Sequence, residues 1–128
     1  MHRQRQPGAR TIVVLGASPK PVRYSYQAVK LLHDKGFPVI PVHPRAARIE
    51  RIPVVHSLGA IREPVDTLTL YVGPERLHPQ IQSIVDLQPG RVILNPGTES
   101  RELEVALANA RIPFERACTL VLLRTGQF

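Results

Sequence analysis

The chain has 128 residues, 43% hydrophobic and 21% charged, the size and balance of one globular domain and too apolar for a disordered tail. Lys and Arg number 17 against 10 Asp and Glu, a net charge of +7 that points any partner toward anions. A lone cysteine, Cys118, excludes an internal disulfide framework and a Cys-cluster metal site; no signal peptide or apolar stretch of ~20 residues is present, so a cytoplasmic protein without a membrane span is expected.

Residues 1–10, with Arg3, Arg5 and Arg10, lack apolar periodicity and read as a basic flexible segment ahead of a single domain over 11–128. Thr11 to Leu15 is an uninterrupted β-branched run ending at Gly16, the pattern of a strand covered on both faces. From Arg23 to Lys35, Tyr24, Ala28, Leu31 and Leu32 mark one helical face, and Gly36 ends it as a C-terminal cap. Phe37 to Val42 is the second strand, and Pro53 to Val55 a short third one at the edge. Thr67 to Val72 is the fourth, followed by a helix over Pro74 to Leu87 with Leu77, Ile81, Ile84 and Val85 inward. Arg91 to Leu94 is the fifth strand, and a helix starting at Thr98 turns Leu103, Ala106, Leu107 and Ala110 inward, with Glu99 and Glu102 in its first turn. Pro113 to Arg116 is a last strand, giving five or six in all. The apolar Thr119 to Leu123 either completes the core or covers a dimer interface, so a monomer and a homodimer both stay open.

Strands alternating with helices at this spacing pair in parallel through right-handed crossovers, which gives an α/β doubly wound sheet of order 3-2-1-4-5. Ligands of such sheets sit beyond the carboxyl ends of the strands, at the point where the order reverses. After the first strand, Gly16 to Tyr26 leads into a helix N-terminus suited to phosphate, with Lys20 and Arg23 as cations and Ser18 and Ser25 as hydroxyl donors. Only the first glycine of the dinucleotide fingerprint G-x-G-x-x-G survives, because Ser18 and Pro21 stand at the other two positions. After the second strand, an NAD site places an acid for the ribose diol, whereas this chain has Val42-His43-Pro44-Arg45. The Arg45 fork suits a phosphorylated ribose, which leaves NADP, with a 2′-phosphate, and coenzyme A, with a 3′-phosphate. His43 adds a hydrogen bond or packs on adenine, and Arg48 and Arg51 lie nearby. Asn95, Pro96 and Gly97 follow the fifth strand, and the Asn95 amide offers a donor and an acceptor to the same crevice; Asn-Pro-Gly is equally what a sharp turn demands. Cys118 reads as a small buried hydrophobe, with a mixed disulfide to a ligand thiol as the sharper alternative.

Gly16-Ala17-Ser18 with Pro19-Lys20-Pro21 and Arg23 to Tyr26, Val39 to Arg45, Val65-Asp66 and Asn95-Pro96-Gly97 together resemble the small stand-alone CoA-binding domain proteins of bacteria. That family is similar to the CoA-binding domain of the succinyl-CoA synthetase alpha chain and of acyl-CoA synthetases that form ADP. The resemblance runs from about Thr11 to Cys118. It implies a three-layer Rossmann-like fold that binds coenzyme A or an acyl-CoA, with a CoA-dependent enzyme as a conceivable protein partner. Gly16, Ala17, Ser18 and the loop to Arg23 match the family's diphosphate loop, and Pro41 to Arg45 its adenosine segment. Tyr71, Val72 and Arg76 match the region lining the adenine and pantetheine side. The chain departs from many members at Val22, where they carry Gly, and at Leu94 and Asn95, where they carry Trp and Gln.

No G-x-S-x-G elbow, H-E-x-x-H helix or Walker lysine is present, and His2, His33, His43, His56 and His78 lack metal-ligand spacing. Asp66 opens a strand at the end away from the crevice, where capping or turn chemistry is expected instead of general-base work. A synthetase needs a further domain, for which this length leaves no room. The expectation is therefore a CoA binder without catalytic or metal residues. An NADP-dependent reductase is the second reading, though no tyrosine-lysine pair or substrate domain accompanies the fold. A nucleic-acid binder is the third, with no Trp and 5% aromatic residues for stacking.

Overall fold

Four β-branched and aliphatic residues in a row can all be buried only in the middle of a covered sheet, and Ile12–Leu15 (β1) is that central strand. The computed structural model describes residues 10–128. The flexible segment expected over 1–10 lies, apart from Arg10, outside the described residues. In chain order there follow α1 (Tyr24–Asp34), β2 (Val39–Val42), β3 (Arg48–Ile49), β4 (Ile52–Pro53), β5 (Thr67–Leu70), α2 (Pro74–Leu77) and α3 (Ile81–Leu87). The chain then adds β6 (Arg91–Leu94), α4 (Arg101–Asn109), β7 (Phe114–Arg116) and α5 (Thr119–Arg124). The main sheet has the order β2-β1-β5-β6-β7, all parallel. This is the doubly wound arrangement expected, with the reversal between β1 and β5. The edge strand expected at Pro53 to Val55 is reduced to one parallel bridge, Val42 to Val55, beside the small antiparallel hairpin of β3 and β4. Prolines at 38, 41, 44 and 53 remove the amides a longer ladder would need.

Side chains alternate across the sheet and so fill two cores. Val13, Leu15, Leu68, Leu70, Val92 and Leu94 pack with Leu77, Ile84, Leu103 and Leu107 from α2, α3 and α4. Ile12 and Val14 pack on the other face with Val29 and Leu32 of α1 and Leu123 of α5. Thr119, Leu120 and Leu123 are buried, so the C-terminal apolar run completes this second core.

Three helices differ from expectation for local reasons. The α1 stripe is Ser25, Ala28, Val29 and Leu32, with Tyr24 left 71% exposed at the crevice rim, because a small polar residue fills the close approach that apolarity alone assigned to the tyrosine. Pro79 divides the expected 74–87 helix through a 3-10 turn over His78–Gln80, yet Leu77 and Ile84 stay buried. The fourth helix starts after Ser100, whose Oγ accepts from the Leu103 amide at 3.2 Å. Thr98 cannot cap it because its amide and hydroxyl both donate to the Asn95 carbonyl, at 3.0 and 2.8 Å, and Ala110 is exposed beyond the helix end. At the opposite end of the sheet, Asp66 accepts from Arg10 Nε at 3.3 Å and the Thr67 hydroxyl at 2.8 Å, a structural role.

Candidate functional site

The loop leaving β1 is shaped by Gly16. Its φ is +85°, and a Cβ there would meet Val72 Cγ1 at 2.7 Å and the Tyr71 carbonyl carbon and oxygen at 3.0 Å. Only glycine lets this loop lie against the chain leaving β5. The Ala17 amide donates to the Val42 carbonyl at 3.1 Å, tying the loop to the end of β2. The Ser18 hydroxyl accepts from the Lys20 amide at 3.1 Å, and the Arg23 amide donates to the Lys20 carbonyl at 3.0 Å, so the loop folds back before α1 begins. The first turn of α1 has neither a side-chain cap nor an acidic residue. That leaves its positive dipole end and amides for a ligand anion, unlike α4, which has the Ser100 cap and Glu102 and Glu104.

These segments border a crevice of about 980 Å³ along the carboxyl ends of β2, β1, β5 and β6. Gly16, Ala17, Ser18, Lys20, Arg23 and Ser25 line it from the first loop, and Val42, His43, Pro44 and Arg45 from the second. Tyr71, Val72 and Arg76 line it beyond β5, and Pro96 and Gly97 beyond β6. Lys20, Arg23, Arg45 and Arg76 thus share one crevice with no Asp or Glu in its lining. None of the four forms an ion pair among the described residues, whereas Arg10, Arg91, Arg116 and Lys30 each do.

Two expected site residues stand elsewhere. Asn95 is 2% exposed, and its Nδ2 donates to Thr69 Oγ1 and the Leu70 carbonyl, both at 2.7 Å. Its Oδ1 accepts from the Thr119 amide at 2.8 Å. The amide therefore ties β6 to β5 and α5 and has no donor left for a ligand. The turn that follows, with Pro96 then Gly97 at φ +90°, carries the crevice wall instead. Pro41 lies within β2, its carbonyl accepting from the Val55 amide at 3.0 Å, and does not reach the crevice. Cys118, half-buried ahead of α5, is likewise absent from the lining. His43 does line it, but its Nδ1 is engaged by the amides of Arg45 and Ala46.

Tyr24, His56, Gly73, Gln80 and Thr98 also line the crevice and were not singled out from sequence. For His56 a signal existed: Val55 bridges Val42 in parallel, so the residue after it emerges at the same carboxyl edge. Gln80 reaches the crevice at the 3-10 turn that Pro79 imposes.

Tyr71 lines the crevice, and its hydroxyl is buried with no hydrogen-bond partner among the described residues. The nearby Thr69 and Thr119 hydroxyls are bonded to each other at 2.7 Å. Burial pushes this phenol up to about 12, with the Thr119 and Thr69 hydroxyls pulling the other way and Cys118 adding to the rise. A raised folded-state value means stability is complete below the ordinary tyrosine value of 10.0 and is lost as pH climbs through the folded one. Tyr71→Phe is expected to flatten the alkaline fall in stability between those limits. It also removes an orphan hydroxyl, so stability at neutral pH should be unchanged or up to about 1 kcal/mol higher by urea unfolding. A loss at neutral pH would mean that the hydroxyl has a partner.

A family model described as a CoA binding domain matches residues 10–124. The chain belongs to the CoA binding domain family. A solved protein from Thermus thermophilus is 33% identical to this CoA binding domain with a TM-score of 0.86, covering 95% of this chain and 92% of that one. The uncharacterized protein YneT of Bacillus subtilis is 32% identical over 69 residues, 54% of this chain and 51% of YneT, so the match spans about half the length of that curated relative. The fold alone is shared, at 18% identity and a TM-score of 0.69, with a dinucleotide forming acetyl-coenzyme A synthetase from Candidatus Korarchaeum cryptofilum. That likeness covers 81% of this chain and 25% of the synthetase. No helix among the described residues is long and apolar enough to cross a membrane, and no group of three or more His, Cys, Asp or Glu among them is placed to hold a metal ion.

Proposed function

We propose that the protein binds coenzyme A or an acyl-CoA along the carboxyl ends of its parallel strands and performs no chemistry of its own. The observation that carries this reading is the charge of the crevice: among the described residues, four cations without ion pairs, no carboxylate in the lining, and an uncapped helix N-terminus between them. Unpaired cations around an uncapped helix start favour a ligand with several phosphates. The residues fit coenzyme A segment by segment. The first turn of α1 with Ser18, Lys20 and Arg23 takes the diphosphate, on a loop that Gly16 allows to lie against the chain leaving β5. Arg45 takes the phosphate on the ribose. Tyr71 and Val72 offer apolar surface, and Pro96, Gly97 and Thr98 offer backbone and hydroxyl groups, to the pantetheine arm. Absence of catalysis is supported by the lining, which offers no carboxylate base, and by its two histidines: His43 Nδ1 accepts backbone amides, and His56 Nε2 bonds the Ala46 carbonyl at 3.3 Å.

Thermal unfolding with added nucleotides tests the ligand class. Coenzyme A at a hundredfold excess over its Kd is expected to add about 2.7 kcal/mol of stability, and NADPH at the same concentration distinctly less. A shift with NADPH equal to or above that with coenzyme A would replace this reading with a reductase-like one.

A further inference from the structure

Resting on the reading of Arg45 as the partner of the ribose phosphate, we infer that His43 is a positioning residue whose ring holds the turn presenting Arg45. It thereby sets the preference for a 3′-phosphorylated adenosine. His43 Nδ1 accepts from the Arg45 amide at 3.0 Å and from the Ala46 amide at 2.9 Å. Those are the positions that the side-chain oxygen of an Asn or Asp serves in an Asx turn, here served by a ring nitrogen. Both partners are N–H donors, so Nδ1 carries the lone pair and the neutral ring keeps its hydrogen on Nε2.

The Arg45 side chain is exposed and has no ion pair among the described residues, so nothing beyond its own backbone aims it. Holding that backbone removes part of the freedom that a long side chain loses on gripping a phosphate. The rest of the turn is fixed without the ring. The His43 amide donates to the Val55 carbonyl at 3.1 Å, the Val54 amide donates to the Ala47 carbonyl at 3.0 Å, and His56 bonds the Ala46 carbonyl. Deleting the ring therefore loosens the Arg45 peptide and leaves the fold in place.

The test is calorimetric titration of the parent, His43→Ala and His43→Asn with coenzyme A and with dephospho-coenzyme A, after checking each variant by thermal melting. The parent is expected to prefer coenzyme A by about tenfold or more, the worth of a charge-assisted bond. In His43→Ala the preference should fall by roughly three- to tenfold while affinity for dephospho-coenzyme A stays within about twofold. His43→Asn, whose Oδ1 sits one bond from Cγ as Nδ1 does, should restore the preference. Three results overturn the inference: His43→Ala keeping the parent's preference, His43→Ala weakening both ligands equally, or a folded His43→Asn failing to restore it. If His43→Ala does not fold, His43→Asn decides alone. A parent indifferent to the 3′-phosphate overturns the role of Arg45 and this inference with it, and a parent that binds neither ligand overturns the CoA reading itself.

Discussion

Gly16→Ala is expected to destabilise the protein by roughly 2–4 kcal/mol and to weaken coenzyme A binding at least tenfold. Two costs add. An alanine held at φ +85° is strained by about 1–2 kcal/mol wherever it occurs. At Gly16 the new methyl also meets the Tyr71 carbonyl carbon and oxygen at 3.0 Å, and this backbone, tied to β1 by the Tyr71 amide donating to the Leu15 carbonyl at 2.9 Å, cannot step aside as the Val72 methyl at 2.7 Å can. Gly36 carries the first cost alone: its φ is +90° and a Cβ there meets nothing within 4 Å. Gly36 closes α1, its amide donating to the His33 carbonyl while the Phe37 amide donates to that of Leu32, the bonding of a Schellman cap. Gly36→Ala should therefore cost about 1 kcal/mol and leave binding intact. Urea unfolding of the two variants reads the difference directly. Equal losses would mean that the Gly16 contact relaxes freely, and the close approach of the two loops would lose its energetic weight.

Asn95→Ala is expected to cost about 3–5 kcal/mol while leaving the folded fraction able to bind coenzyme A within a few-fold of the parent. The side chain joins three elements at once: the Leu70 carbonyl and the Thr69 hydroxyl of β5, and the Thr119 amide at the start of α5. Its removal takes a hydrogen-bond partner from the Leu70 carbonyl and the Thr119 amide, and a buried polar group left unsatisfied costs about 1–3 kcal/mol. Parallel measurement of urea unfolding and of calorimetric affinity separates structure from recognition. Intact stability with lost affinity would return Asn95 to the ligand, as its place at the end of β6 alone suggested.

That misassignment shows where the chain is readable. β1 announces itself because four large aliphatic residues in succession have no other home than a covered strand, and the order of the sheet follows from crossover handedness once strands and helices alternate. The Arg45 and Gly16 loops are legible for the same reason, since topology fixes which ends of the strands face a ligand. Asn95 is not, because its partners lie 24 to 26 residues away and no local pattern encodes them. Asn-Pro-Gly describes the turn, and the turn is there, but the burial of its first side chain depends on Thr69 and Thr119. The His43 ring escapes for a related reason: a histidine acting as an Asx-type acceptor has no compositional signature. Ser100, a serine preceding Leu103 by three, is the cap in place of Thr98 because the hydroxyl of the threonine is claimed by the Asn95 carbonyl, a bond that sequence does not reveal.

The electrostatic assignment of the crevice is tested most directly by calorimetric titration of the parent and Arg45→Ala with coenzyme A and dephospho-coenzyme A. The parent is expected to bind coenzyme A about tenfold or more tightly than the dephosphorylated ligand, and Arg45→Ala to bind the two alike, at the affinity the parent shows for dephospho-coenzyme A. Equal affinity of the parent for both ligands, or a preference that survives in Arg45→Ala, would contradict it.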